Sequence, residues 1–429
     1  MGFKRVWSAA GVLTLTGGLL LTTAHTASAD YIREKQWALG AFAAEDVWPE
    51  SQGAGVTVAV VDSGVDATHP DLNGQVLAGK DFTGGEDAHE DLVGHGTKMA
   101  SIIAGHGHGA GNDSGVIGLA PKAKILPLRT LQTRKDRNLE ETWGPAVRYA
   151  VDNGAKVINL SFGSDGGSKT SSEGVEAIAY AQAHDVIVVA AAGNEGAAVI
   201  EPAALPGVVS VGAVNEKANL WEDSNTGKAL ALTAPGADIV GANNTMSNGY
   251  GVSSGTSEAT AYVSAAAALV RSKYPDLTAG QVINRLIKTA TFAHHKGLKA
   301  PDEKYGYGIV RPYSALTTDV PAGSKKNPLG QLEAASVSNQ SSPGKDSATQ
   351  AENESSSNLV LIGGIAAVVV IGVVAFVVIR SRRNGGNNGG PGAGAPSPAP
   401  GYQPYPNAAS GQGYSSHPGQ GPQNPNPYS

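Results

Sequence analysis

Val58-Ala59-Val60-Val61-Asp62-Ser63-Gly64-Val65-Asp66 is an apolar run that ends in a carboxylate and then turns. A strand covered on one face alternates apolar and polar residues, whereas a strand covered on both faces does not. Val56–Val61 does not alternate, so it reads as a parallel strand with helices above and below it. Lys124–Leu128, Val157–Leu160, Val186–Ala192 and Val208–Val214 have the same character. Between them, Leu139–Asn153 and Glu173–His184 carry helical patterns, and Gly154 stands where a helix should stop. Alternating β and α elements predict a doubly wound α/β fold with a mostly parallel sheet. Such sheets bind ligands beyond the carboxyl ends of their strands, and Asp62 falls at such an end. Alone it decides nothing, because α/β proteins place acids there for metals and nucleotides too.

Three further stretches carry candidate chemistry. In Gly94-His95-Gly96-Thr97-Lys98-Met99-Ala100 a histidine between two glycines opens an apolar helix, and the glycines let other groups approach the imidazole. In Ser253-Ser254-Gly255-Thr256-Ser257-Glu258-Ala259 a Gly-Thr turn precedes an alanine-rich helix read over Glu258–Lys273. Ser257 then sits at a helix N-terminus, where unpaired N–H groups and the helix dipole favour developing negative charge. A plain helix cap has the same appearance. In Val189-Ala190-Ala191-Ala192-Gly193-Asn194-Glu195-Gly196 a buried strand delivers an amide onto a turn. Its NH2 is a neutral donor suited to an oxyanion, although turn-forming asparagines read alike.

Together the four pieces run Asp, His, Asn, Ser, and this resembles the subtilisin-like serine proteases (subtilases), whose triad has the chain order Asp, His, Ser. The resemblance covers about Gly55 to Leu316. Gly118-Leu119-Ala120-Pro121 and Tyr305-Gly306-Tyr307-Gly308-Ile309-Val310 fit it as well. Ile158-Asn159-Leu160-Ser161-Phe162-Gly163 resembles the family's substrate-binding strand. The resemblance implies Asp62, His95 and Ser257 as catalytic triad and Asn194 as oxyanion-hole donor. It also implies that Leu160, Ser161, Phe162 and Gly163 pair with the backbone of a polypeptide substrate. Many subtilases have proline where this chain has Ala261; proline is tolerated early in a helix, so its absence should not disable the reaction.

The 429 residues leave room for segments beside one enzyme domain, and the net charge of -6 points away from a nucleic-acid partner. There is no cysteine, which excludes disulfides and thiolate chemistry. Residues 1–29 read as a secretory signal: Lys4 and Arg5, an apolar run from Ala9 to Leu21, and a cleavage site at Ala27-Ser28-Ala29. An N-terminal extension (30–54) and the catalytic domain (55–317) follow. Residues 318–358 read as a flexible stalk and 380–429 as a disordered Gly/Pro-rich tail. Between them, Leu359–Ile379 offers 21 residues without a charge, followed by Arg380, Arg382 and Arg383. That length suits one transmembrane helix, and the flank predicts a cytoplasmic tail and an extracytoplasmic domain at the cell membrane.

This layout resembles the mycosins, the subtilases of type VII secretion systems in actinobacteria. Glu34-Lys35-Gln36-Trp37-Ala38-Leu39 and Glu258-Ala259-Thr260-Ala261-Tyr262-Val263-Ser264 share the likeness. Mycobacterial mycosins carry disulfides, so here the extension must be held by packing instead. Only 32 residues lie between Ala29 and Asp62, too few for a globular inhibitory pro-domain. Asp30–Trp48 is therefore expected to pack along the domain surface. Three roles stay open: an endopeptidase processing secreted proteins, a scaffold subunit of the secretion complex with proteolysis secondary, and a general cell-surface degradative protease. No cofactor is assigned. Asp71, Asp81, Glu86, Asp87 and Glu90 could hold calcium, as subtilases often do, but without EF-hand spacing they read as an acidic surface loop. His106-Gly107-His108 and His294-His295 read as solvated loops rather than metal ligands.

Overall fold

The structure, a computed structural model, describes residues 31–133, 139–163 and 169–332. The signal segment, the span and the tail expected from sequence lie outside them. Among the described residues no helix is long and apolar enough to cross a membrane.

Two short helices, α1 (Trp37–Ala41) and α2 (Ala44–Glu50), lead into β1 (Thr57–Asp62) and the two-residue β2 (Lys80–Asp81). Next come α3 (His95–Ala104), a β3–β4 hairpin (His106–His108 and Ser114–Ile117) and β5 (Lys124–Arg129). Helix α4 (Leu139–Asp152), β6 (Val157–Leu160), α5 (Ser172–Ala183), β7 (Ile187–Ala191), β8 (Val209–Val214) and β9 (Leu232–Pro235) complete the alternation. A second hairpin, β10–β11 (Ile239–Ala242 and Tyr250–Ser253), then feeds α6 (Thr256–Lys273), α7 (Ala279–Thr289) and α8 (Pro312–Thr317).

Seven strands form one sheet in the order β2-β5-β1-β6-β7-β8-β9, and every pairing is parallel. The unbroken apolar run of β1 now has its cause. Val58 and Val60 enter one core with Met99 and Ile103 of α3 and Val263 of α6. Ala59 and Val61 enter the other core, with Trp143 and Val147 of α4 and Ile178 of α5. Because β1 lies between β5 and β6, the chain leaves it first to one side and then to the other. That reversal opens a crevice beyond the carboxyl ends of the strands, at Asp62. Helix α6 is buried from Thr256 to Arg271, which its many alanines allow because they let sheet and neighbouring helices close around it.

The extension does more than lie on the surface. Leu39, Phe42 and Val47 join the main core, and the Phe42 ring meets Tyr262 of α6 edge-on at 5.2 Å. Gln36 exchanges two hydrogen bonds with the Ile117 backbone (2.8 and 3.0 Å), Trp37 donates to Ala237 O and Trp48 to Leu119 O. Partly buried indoles such as these find partners for their N–H.

Three sequence expectations need correction. The packed domain does not stop at Thr317, where the stalk was expected to begin. Arg285 donates to the carbonyls of Thr318 (2.6 Å) and Val320 (3.1 Å), Gly207 N to Leu329 O, and Leu332 N to Gln182 Oε1. Polar composition hid this because backbone groups make most of those bonds. The acidic loop is not all surface: Asp81 and Glu90 both pair with the buried Arg129 guanidinium, at 3.1 and 2.5 Å, since a buried cation requires a counter-charge. Asp71 is fully buried and accepts from Val116 N and from His108 Nδ1 at 2.5 Å. Nor is His295 solvated, because its Nε2 lies 2.9 Å from both Ala218 O and the Tyr305 hydroxyl.

Candidate active site

Asp62 ends β1 with its side chain 1% exposed, and its Oδ1 accepts from Ser63 N at 2.8 Å. His95 is the first residue of α3, and its Nδ1 lies 2.8 Å from Asp62 Oδ1 and 2.9 Å from Oδ2. An ionised carboxylate can only accept, so opposite it Nδ1 is the donor and the neutral ring has its basic lone pair on Nε2. The flanking glycines serve this approach. Gly94 has φ 75°, and a Cβ there would strike Asn243 Oδ1 at 2.2 Å. A Cβ on Gly96 would meet Gly64 O at 2.1 Å and Asp62 Cβ at 3.1 Å. Any side chain at 96 would therefore separate the imidazole from its acid.

Asp91 builds the loop that aims His95, and sequence reading overlooked it. Its Oδ1 accepts from Ser63 Oγ, Val93 N and Gly94 N, and its Oδ2 from Thr97 N and Thr97 Oγ1, all at 2.6–3.0 Å. Ser63 Oγ in turn accepts from Gly96 N, which joins the ends of β1 and α3 through one buried carboxylate. No capping pattern marked it, since the N-cap of α3 is Gly94 and Asp91 stands four residues before the helix begins.

Ser257 lies in the first turn of α6, which begins at Thr256, two residues earlier than its sequence suggested. Its Oγ donates to Ser161 O at 3.0 Å, and Ser161 Oγ returns a 3.0 Å bond to Ser257 O. Ser161 Oγ also accepts from Asn159 Nδ2, whose Oδ1 takes Ser264 Oγ. The end of β6 is thus stitched to α6 on both sides of the serine. Asn194 follows β7, and its Oδ1 accepts from Thr256 N (2.8 Å) and Thr256 Oγ1 (2.9 Å). With the oxygen so engaged, the NH2 group is the donor left to face the cavity. Asn225 shapes this turn by accepting from Glu195 N and Ala197 N.

A cavity of about 450 Å³ opens beside these groups, lined by Ser161, Phe162, Gly163, Asn194, Ile200 and Ser257 among others. A smaller one, about 180 Å³, is lined by Val93, His95, Leu131 and Ser161. Ser161 is a wall of both, so the histidine and serine open onto adjoining parts of one cleft. Of the four residues read as substrate-binding, Ser161, Phe162 and Gly163 line the larger cavity. Leu160 does not. It is fully buried and paired in register with Val61 on one side and Ala190 on the other. An interior strand position has no backbone edge to offer, so substrate pairing can start only at Ser161.

Residues 53–308 match the subtilase family model. The chain belongs to the subtilase family. Its folded domain is a subtilase serine endopeptidase domain, a hydrolase of peptide bonds. It is 37% identical over 272 residues to the thermophilic serine proteinase of Bacillus sp. (strain AK1), a match spanning 63% of this chain and 64% of that protein. It is 37% identical over 257 residues to subtilisin DY of Bacillus licheniformis, covering 58% of this chain and 89% of the relative. Among solved structures, MycP1 from Mycobacterium smegmatis superposes with a TM-score of 0.59 at 28% identity, over 69% of this chain and 88% of that one. The MycP3 protease from the type VII (ESX-3) secretion system gives 0.57 at 33% identity, over 66% and 88%.

Proposed function

We propose that this subtilase cleaves polypeptides through an acyl-enzyme formed on Ser257, at the outer face of the membrane and in association with type VII protein secretion. The observation that carries the chemistry is the His95 Nδ1 contact with both Asp62 oxygens, beside a cleft that also holds Ser257 and the Asn194 amide. Ser257 Oγ leaves Ser161 O and turns toward His95 Nε2, which removes its proton as the oxygen attacks the scissile carbonyl. Asp62 holds the tautomer and stabilises the imidazolium. Asn194 Nδ2 and the Ser257 backbone N–H receive the oxyanion, already oriented by Thr256 and by the helix start. His95 then protonates the leaving amine, and water repeats the sequence on the ester.

The secretion role rests on likeness to the MycP structures and on the layout of the chain. Anchoring rests on the apolar run Leu359–Ile379 and its arginine flank. A fluorophosphonate should label Ser257, and His95→Ala should abolish the labelling; a folded parent that stays unlabelled overturns the triad. In cells, Ser257→Ala should reproduce the secretion defect of a full deletion. If only the deletion stops secretion, the domain acts as a scaffold instead.

A further inference from the structure

Two charged residues that the reaction does not use lie inside the site. Lys98 stands on α3 one turn after His95, and Glu258 follows Ser257 on α6. Their side chains are 4% and 3% exposed, with Nζ 3.7 Å from Oε1. Ser253, the last residue of β11, bridges them: Lys98 Nζ donates to its hydroxyl, and the hydroxyl donates to Glu258 Oε1. As glue between helices this is a poor choice, because apolar residues of similar volume hold buried contacts as well or better than ion pairs. What the pair supplies instead is charge balance. The Cβ position of Gly255 would be 2.9 Å from Glu258 Oε2 and 3.5 Å from Asn194 Nδ2. Carboxylate and oxyanion donor therefore flank one glycine, and an uncompensated carboxylate there would oppose the oxyanion. An uncompensated ammonium one turn from His95 would oppose the imidazolium.

We infer that Lys98 and Glu258 are a positioning pair for peptide hydrolysis: bridged by Ser253, they couple α3 to α6 and cancel each other's charge, so that neither the oxyanion at Asn194 nor the imidazolium at His95 meets a bare buried ion. This rests on the triad reading. The other titratable or charged groups around the pair are Asp62 at the end of β1, Asp91 in the loop before α3, Tyr262 on α6 and Glu195 at the cavity. All four are present in every variant below, so they cancel in the comparison.

The test is the second-order rate of labelling by a fluorescent fluorophosphonate, followed from about pH 5 to about pH 9, the range that brackets a histidine. In that reaction Ser257 Oγ bonds to phosphorus, fluoride leaves, and the serine proton passes to His95. Lys98→Met leaves the carboxylate and should move the acid limb to higher pH; Glu258→Gln leaves the ammonium and should move it to lower pH. Each should slow labelling about ten- to fiftyfold, the effect of a unit charge acting over ~7 Å at an effective dielectric near ~20. Lys98→Met with Glu258→Met removes both charges and should recover most of the loss. Glu258→Gln is close to isosteric, and its acid limb alone decides the matter if Lys98→Met fails to fold. Acid limbs that stay put or move the same way, or a double variant no better than the worse single, overturn the inference. Because the parent must label at Ser257 for any of this to be read, failure of the triad is seen separately.

Discussion

Replacing Asp91 by alanine removes one carboxylate and strands five donors: Ser63 Oγ, Val93 N, Gly94 N, Thr97 N and Thr97 Oγ1. Asp91 is 4% exposed, so water does not already serve these groups. A buried donor left unpaired costs about 1–3 kcal/mol, and relaxation of the loop returns part of the total. Five neutral donors left unpaired and then partly relaxed make about 3–5 kcal/mol the expected loss. At about 2–4 °C per kcal/mol for a domain of this size, the melting temperature should fall by about 6–20 °C. Activity should suffer more than stability suggests, because Gly94 and Thr97 set the start of the helix that carries His95. A displacement of about 1 Å there is worth about 10²-fold in rate. Asp91→Asn should fall between. Its amide oxygen can keep the three donors now on Oδ1, while its NH2 faces Thr97 N–H. Calorimetry and fluorophosphonate labelling of the folded protein test both effects. An Asp91→Ala protein that melts within about 2 °C of the parent and labels at the same rate refutes the reasoning.

Three further outcomes are expected. Asn194→Ala should lower kcat by about 10²–10³ with KM little changed, since the donor acts on the oxyanion and not on the ground state; a loss confined to KM would deny it that role. Phe42→Ala should cost about 3–5 kcal/mol by emptying its place against Tyr262, and deletion of Asp30–Ala44 should cost more; unchanged melting of the deletion would mean that the extension is not part of the core. Burial first, and the Glu258 charge second, hold the Tyr262 phenol above its usual range. Its contribution is thus complete below about pH 10 and is lost as pH rises beyond that, because the unfolded chain gives up the proton first. Tyr262→Phe should therefore flatten the alkaline fall in melting temperature, and parallel curves for parent and variant would contradict this.

The sheet was legible because β1, β6, β7 and β8 are covered on both faces, and such strands announce themselves as unbroken apolar runs. Helix α6 was legible from its alanines, although its start was misplaced by two residues because Thr256 reads as turn and serves as helix. The groups that make the site work as a unit were much less visible. Asn225 and Ser161 bond to backbone atoms far along the chain, Asn159 to the Ser264 hydroxyl, and Asp91 ties its own loop to Ser63; nothing in the sequence around them shows that these distant partners will meet. The packing of residues 318–332 was hidden for the same reason, because Arg285 binds carbonyls there and every residue has a carbonyl. Leu160 went wrong in the opposite direction: a likeness to a substrate-binding strand does not say where the strand stops being interior.

The start of α6 explains why the chemistry and the stability of this domain are hard to separate. Within one turn, Thr256 fixes the Asn194 amide, Ser257 presents its hydroxyl, and Glu258 brings a charge that the adjacent helix must balance. The same helix is the centre of the main core and receives Phe42 of the extension on Tyr262. With no disulfide available, the extension is tied down by such apolar contacts and by hydrogen bonds, among them those of Arg33, Gln36, Trp37, Trp48 and Ser51. Loosening it would release one side of α6, and with it the angle between Ser257 and the His95 helix. Substitutions in the extension, far from the cleft in sequence, should consequently slow labelling of Ser257 in proportion to the stability they remove. On the proposed mechanism, substitutions at Asn194 should slow the reaction by more than the loss of its two Thr256 hydrogen bonds costs in stability, because its NH2 is the group placed to receive the oxyanion.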